Sequence, residues 1–388
     1  MQVAMLGDTA FEKACAAAAE ASAATEAARA LSPKLARQMA DANLFSLYVP
    51  EDIDGPQLSP LAANSRLFHL ARHDAASAWV AMIGSTASIG AAYLAPEIAK
   101  PLFGGGDKIS SGIFAPNGTA QIDGDDYVVS GRWAWASGSA NAGTISLGCR
   151  IIDPSQTASD ATKPPEMRLV VLPCDALIRH DNWHTMGLCG SSSGDVEAQN
   201  IRVPQAHSFS ITADRPRSQA ALYKMPYFGL LASGIGAVAL GNARAALDDF
   251  LTLAGGKTAS GTSKPLARRA IVQAALAEAT GDWRAAHAFY WSVLEKLWQQ
   301  AQSDDDAIMG EAARADLRLV ATHAVQTCVR VVRRVHDLAG GTSVYKTSPI
   351  QRRLRDSETI TQHMMTNSAS YELVGRVQLG GFTPDMLL

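Results

Sequence analysis

The chain has 388 residues, 47% of them hydrophobic and 18% charged, with a formal net charge of −3; that is enough for two or three domains around a large core. Charges of both signs are interspersed, with no basic run to neutralise phosphates, so nucleic acid is excluded as a partner and a small-molecule substrate is expected. Five cysteines, Cys15, Cys149, Cys174, Cys189 and Cys328, form no CxxC pair and meet no histidine at metal-ligand spacing, which predicts reduced thiols and no metal site. Met1 to Asp8 carries no basic stretch ahead of an apolar one, and the longest apolar run, around Phe228 to Leu240, is too short to cross a bilayer, so the expected location is the cytoplasm.

Residues 1–107 read as an N-terminal helical domain. Ala10 to Ala42 is rich in Ala, Glu, Lys and Arg and predicts helix; the pattern resumes from Leu58 to about Phe103, and Asp52-Ile-Asp-Gly-Pro56 breaks it between. Residues 108–215 change character. Tyr127-Val-Val129, Thr144 to Cys149, Arg168 to Leu172 and Asp195 to Val203 predict strands of a small antiparallel β domain, with Asp153 to Pro165 as an exposed polar loop. Residues 216–388 predict four long helices, Tyr227 to Ala254, Ser263 to Gln302, Asp305 to Ala339 and Ser348 to Gly380, broken at Gly255-Gly256, Ser303 to Asp306 and Gly340-Gly341. Short connections between long helices argue for an antiparallel four-helix bundle, so the fold class is α+β.

Two tempting motifs dissolve on their spacing. Gly234-Ile-Gly-Ala-Val-Ala-Leu-Gly241 is not GxGxxG and follows no strand, so its glycines are expected inside a helix where a neighbour packs closely. A Ser-His-Asp hydrolase lacks the GxSxG elbow. The acidic run from Ser303 to Asp306 reads as a solvated helix start. Trp133-Ala-Trp-Ala-Ser-Gly-Ser139 is different: on a strand, alternation places Trp133, Trp135 and Ser137 on one face, an aromatic wall with a hydroxyl beside it, suited to a flat ligand with a polar edge. Ordinary sheet packing is the competing account. His363 is expected on the last helix, with Asn367 four residues on and on the same face; an imidazole facing a cavity can move protons near neutral pH.

These segments, in this order, resemble the acyl-CoA dehydrogenase superfamily, and within it the group D two-component flavin-dependent monooxygenases. The resemblance is carried by Asp74-Ala-Ala-Ser-Ala-Trp79-Val-Ala, by Tyr127 to Ser139, and by Trp183 to Pro204 with its Gly187-Leu-Cys-Gly-Ser-Ser-Ser-Gly-Asp-Val. Ala339 to Tyr345, Ser348 to Asp356, Gln362-His363 and Tyr371 to Arg376 complete it. It implies the three-part fold named above, a homotetramer, a separate flavin reductase, and reduced FMN or FAD that reacts with oxygen to give a C4a-hydroperoxyflavin. Trp135 and Ser137 stand where the family's Trp and hydroxyl meet the flavin, the hydroxyl reaching N5. Gln273, Gly340 and Gly341 stand where it meets the flavin's phosphate tail, often across a subunit boundary. His363 and Ser137 are then the catalytic candidates, and Trp79, Phe114 and Asn367 the pocket walls.

The chain also departs from the family. The place of the usual dehydrogenase glutamate is held by Met364, whose thioether cannot remove a proton. Ser85, Thr86 and Ser88 occupy a helix where several monooxygenases carry a histidine, and Asn367 stands where some carry an acid. Two rivals to a monooxygenase remain at this point: a flavin dehydrogenase or oxidase of the acyl-CoA dehydrogenase type, and an inactive binding protein on the same fold.

Overall fold

The structure is a computed structural model that describes residues 8–105, 108–155, 166–258, 264–303 and 310–381. Most of the expected loop after Asp153, the acidic run from Asp304 to Asp306, Ser263 and the opening Met1 to Gly7 lie outside the described residues.

The first region is helical throughout: α1 (Thr9–Ala28), α2 (Pro33–Asp41), α3 (Pro60–His73), α4 (Ala75–Ser88) and α5 (Pro96–Phe103). The helical stretch expected from Ala10 to Ala42 is two helices, because Arg29 closes α1 in the left-handed conformation, and Ser32 and Pro33 open α2 as cap and first residue. Asp74 separates α3 from α4 and caps the latter, its carboxylate accepting from Ser77 N at 2.7 Å. Every residue of α4 is buried.

Among the described residues seven strands follow: β1 (Ser110–Asp123), β2 (Asp126–Trp133), β3 (Thr144–Ile152), β4 (Met167–Pro173), β5 (Ile178–Arg179), β6 (Val196–Pro204) and β7 (Ser208–Phe209). They form one sheet in the order β5-β6-β2-β1-β3-β4-β7. The expected all-antiparallel sheet is corrected here, since β1 and β3 run parallel. After β2 the chain turns through Trp135 to Gly143 and enters β3 on the far side of β1, a crossover that local alternation does not reveal. The β1–β3 register shifts between Ile113 and Gly118, and a side chain at Gly118 would strike the Trp133 ring at 2.0 Å. The indole Nε1 of buried Trp133 donates to Gly148 O at 2.8 Å, so it pins this irregularity from within the sheet's own core.

The C-terminal region holds α6 (Tyr227–Gly256), α7 (Ala270–Ala301), α8 (Glu311–Ala339), α9 (Pro349–Ile360) and α10 (Ser370–Gln378). The apolar run at Phe228, expected to be too short to cross a bilayer, lies in the long helix expected from Tyr227, and that expectation is corrected: Ala75–Tyr93 and Tyr227–Gly256 are both long and apolar enough to cross a membrane, but 100% and 94% of their apolar windows are buried inside the fold. They are core helices, and their glycines permit close packing. A side chain at Gly234 would meet Met82 of α4 at 2.6 Å, and one at Gly241 would meet Phe68 O of α3 at 2.2 Å. One continuous apolar core therefore joins the first helices to the C-terminal bundle.

The expected fourth long helix is two helices. Between α9 and α10, residues 361–369 form successive turns. Asn367 Oδ1 accepts from Ala369 N at 3.1 Å and His363 Nδ1 accepts from Met365 N at 3.2 Å, so side chains satisfy backbone donors that a helix would have paired.

Candidate active site

The aromatic shelf is built differently from a strand face. Strand β2 ends at Trp133, and Trp135 takes φ +64, a left-handed conformation that is rare for a bulky side chain and is kept only where its surroundings impose it. Ala136 N donates to Gly194 O at 3.0 Å and Gly138 N to Ser191 O at 2.9 Å, which lace the turn to the segment before β6. The period of two is broken at Trp135, so Trp133, Trp135 and Ser137 do not share a face. Trp133 is buried in the sheet core, Trp135 is 72% exposed, and Ser137 is buried.

Ser137 is the centre of a polar cluster. Trp79 of α4 donates from Nε1 to Ser137 Oγ at 3.1 Å, and Ser111 Oγ of β1 donates to Ser137 O at 2.6 Å. Ser137 Oγ and Ser193 Oγ lie 2.6 Å apart, and Ser193 Oγ and Ser191 Oγ again 2.6 Å apart. All three hydroxyls are buried. Neither Ser191 nor Ser193 stands out in the sequence, where serines are common; the only signal was the Gly187 to Val196 segment as a whole.

His363 meets this cluster through Trp79. The two rings lie edge to face, centroids 5.6 Å apart at 67°. The His363 ring is crowded by protein, and burial, helped by the charge of Arg318, lowers its pKa to about 4. At neutral pH the ring is uncharged. Because Nδ1 accepts Met365 N–H, the ring proton sits on Nε2, and His363 presents a hydrogen-bond donor there.

Arg318 of α8 was not foreseen. It is 2% exposed and has no carboxylate partner among the described residues; Nη1 donates to Met365 Sδ at 2.9 Å, and Nη2 to Ser370 Oγ at 3.0 Å and Met364 O at 3.4 Å. Burial lowers its own pKa to about 10. It grips the middle and the far end of the turn segment that carries His363, and nothing in its sequence surroundings distinguishes it from the other arginines of α8.

The Arg355-Asp356 pair ties α9 to the loop that carries the serines. Buried Asp356 accepts from Leu188 N at 2.7 Å, and burial pushes its pKa up to about 6. The approach is so close that a side chain at Gly187 would meet Arg355 O at 2.0 Å.

Trp79, Ser137 and His363 are thus brought together; the other foreseen residues are not part of that cluster. Asn367 turns its amide back to its own chain at Ala369. Phe114 packs edge-on against Tyr227 and Phe228, with centroids 5.0 and 5.8 Å away. Gln273 is exposed in the first turn of α7, its amide donating to Ala267 O at 2.9 Å. Gly340 and Gly341 end α8 on the surface, Gly340 with φ +59 and open space where a side chain would stand. Met364 is 65% exposed, next to half-buried His363. All five cysteines are free.

Residues 233–368 match the family model "Acyl-CoA dehydrogenase, C-terminal domain". The chain is 28% identical over 340 residues to an indole-3-acetate monooxygenase of Acinetobacter baumannii, covering 87% of this chain and 84% of that one. It is 24% identical over 375 residues to HsaA, the oxygenase subunit of a flavin-dependent monooxygenase of Rhodococcus jostii, covering 92% and 94%. Its fold superimposes on the solved structure of XiaF from Streptomyces sp. in complex with FADH2 and glycerol, with a TM-score of 0.88, 20% identity, and 97% and 96% of the two chains covered. Element order, sheet, site segment and relatives agree: residues 233–368 match the acyl-CoA dehydrogenase C-terminal domain, and the chain is similar to an indole-3-acetate monooxygenase and to the oxygenase subunit of a flavin-dependent monooxygenase.

Proposed function

We propose that the chain is the oxygenase component of a two-component system, a monooxygenase that takes reduced FMN or FAD from a separate flavin reductase and oxygenates a small aromatic substrate. The observation that carries this reading is the junction of three side chains, in which Trp79 hydrogen-bonds Ser137 and packs edge-on against His363. Relatives named as flavin-dependent monooxygenase subunits support it, and so does Met364, which leaves the dehydrogenase reading without its base.

The residues fit a flavin. An exposed indole held in a strained turn beside a buried hydroxyl supplies what a flat ring with a polar edge needs, a stacking surface and one placed hydrogen bond. Bound reduced flavin supplies the electrons that activate oxygen. Ser137 holds the edge of the ring; Trp79 orients Ser137 and walls the substrate side with Phe114. His363, neutral and with its proton on Nε2, donates a hydrogen bond to the oxygen being transferred or to a substrate hydroxyl. Core packing behind α4 and α6 keeps that side dry. Gln273, Gly340 and Gly341 would meet the cofactor's tail from a neighbouring copy, which accords with their surface positions and with the homotetramer we also propose. Exposed Leu251, Ile271, Val344 and Tyr345 at that end of the bundle support such an assembly. The cytoplasm is the proposed location, in keeping with five free thiols.

The test is a titration of the purified protein with oxidised and reduced FMN and FAD, followed by oxygen. Tighter binding of a reduced flavin, and oxygenated product from phenols or indoles only when a reductase and nicotinamide donor are present, are expected. Failure to bind either flavin in either state refutes the reading.

A further inference from the structure

Hydrogen-bond arithmetic at Ser137 leads beyond the flavin contact itself. A serine hydroxyl has one proton and two lone pairs, whereas an indole N–H only donates. Trp79 therefore always occupies one lone pair of Ser137 Oγ, at 3.1 Å. One lone pair and one proton remain, to be divided between Ser193, 2.6 Å away, and whatever ligand Ser137 faces. If Ser193 donates, Ser137 must donate to the ligand. If Ser193 accepts, Ser137 is free to accept from it. Ser193 can take either role because Ser191 Oγ, 2.6 Å beyond, can complement it in both.

We infer that Ser193, backed by Ser191, is a positioning residue that lets Ser137 reverse its hydrogen bond to the flavin. The inference rests on the flavin reading above and deepens it. A flavin presents opposite faces of this chemistry at N5: the oxidised ring has a bare acceptor nitrogen, and the reduced ring carries an N5–H donor. An oxygenase component must receive the reduced form and part with the oxidised one, so a hydroxyl facing N5 has to accept in one state and donate in the other. The three-serine chain makes this possible without moving a heavy atom. Its members are held by structure on both sides: Ser191 N donates to Leu188 O at 3.0 Å, Gly138 N to Ser191 O at 2.9 Å, and Ser192 takes φ +49, which sets Ser191 and Ser193 on the Ser137 side. Among the described residues no ionisable group hydrogen-bonds the three hydroxyls; Asp356 reaches them through the backbone of Leu188. The device is thus a matter of proton placement on neutral hydroxyls.

The experiment measures dissociation constants of oxidised and of anaerobically reduced FMN and FAD for the parent, Ser193→Ala and Ser193→Thr, by tryptophan fluorescence or equilibrium dialysis. In Ser193→Ala the Ser137 proton has no protein acceptor, so accepting from N5–H leaves that proton unpaired. One net hydrogen bond corresponds to roughly a threefold to tenfold change. The expected result is a loss of that size in affinity for reduced flavin, with oxidised flavin changed by less than about twofold, and recovery in Ser193→Thr, which restores the hydroxyl. Equal weakening of both forms, no change in either, or no recovery with Thr overturns the inference. A parent that binds no flavin instead overturns the functional reading. Should Ser193→Ala fail to fold, Ser193→Cys, whose thiol is a poor acceptor of similar size, carries the same comparison.

Discussion

Lowering the pH is the perturbation that reads the state of His363 most directly. Its folded pKa of about 4 stands against an ordinary value of 6.5, and each unit is worth about 1.4 kcal/mol. The gap of about 2.5 units would amount to some 3 kcal/mol, and partial access of the ring to solvent trims this to about 2 kcal/mol. The sign follows from proton binding. Between pH 6.5 and 4 the unfolded chain holds a proton on this histidine that the folded chain refuses, so the stabilisation is complete above 6.5 and is lost as pH falls through the folded value. Asp356 acts oppositely in an overlapping window, because its pKa is raised from 3.8 to about 6 and the folded chain there holds a proton that the unfolded chain releases. The parent's own pH profile therefore mixes the two, and the informative quantity is the difference between parent and His363→Gln, in which Asp356 cancels. We expect urea midpoints of the two proteins to converge on acidification from pH 7 to 4.5, and the His363 ring resonance, identified by its absence in the variant, to titrate near 4. Midpoints that run parallel across that range, or a ring that titrates near 6.5, would refute the assignment of a His363 held neutral by its surroundings.

Arg318→Met removes the charge beside His363 while keeping a long apolar side chain; we expect the His363 titration midpoint to rise toward 6.5 and hydroxylation to become uncoupled toward free peroxide, checked by ring titration and peroxide yield. Gly187→Ala puts a methyl 2.0 Å from the Arg355 carbonyl oxygen, against backbone on both sides, so it should lower the melting temperature and free the serine loop from α9, read as faster amide exchange at Leu188. Straight-chain acyl-CoA compounds should leave bound oxidised flavin unbleached without oxygen, because Met364 stands where the dehydrogenase base would be; rapid bleaching would point to an acid on another helix.

What the sequence disclosed follows the range of the interactions concerned. Helical regions on either side of a strand-rich middle were legible from periodicity, since burial of one face is written into neighbouring residues. The parallel β1–β3 pair was not, because it depends on a crossover through Trp135 to Gly143 whose path is set by the lacing of Ala136 and Gly138 to residues far along the chain. The break of the last helix was hidden for a related reason. Propensity over Ser348 to Gly380 favours one helix, but Arg318, more than forty positions earlier, captures Met364 O and Ser370 Oγ and pays for the interruption with hydrogen bonds no local window contains. Trp135 and Ser137 could be singled out, yet their alternation as strand residues failed at a single left-handed φ.

That failure is informative about the site itself. Local pattern and observed backbone disagree at Trp135, at residues 361–369 and at Leu188 and Ser192, both with positive φ. The first, second and last of these flank Ser137, His363 and Ser193. Strain that local sequence does not favour persists only where long-range contacts impose it. Here those contacts are identifiable: Gly194 O and Ser191 O for the Trp135 turn, Arg318 for the His363 turns, and Asp356 for the serine loop. Each arrives from a different region of the chain, and Trp79, on a helix buried along its whole length, touches both Ser137 and His363. A substitution that loosens any one support should therefore be felt at the other two through Trp79, and the edge-to-face angle of 67° between its ring and His363 is the coordinate on which that coupling would appear.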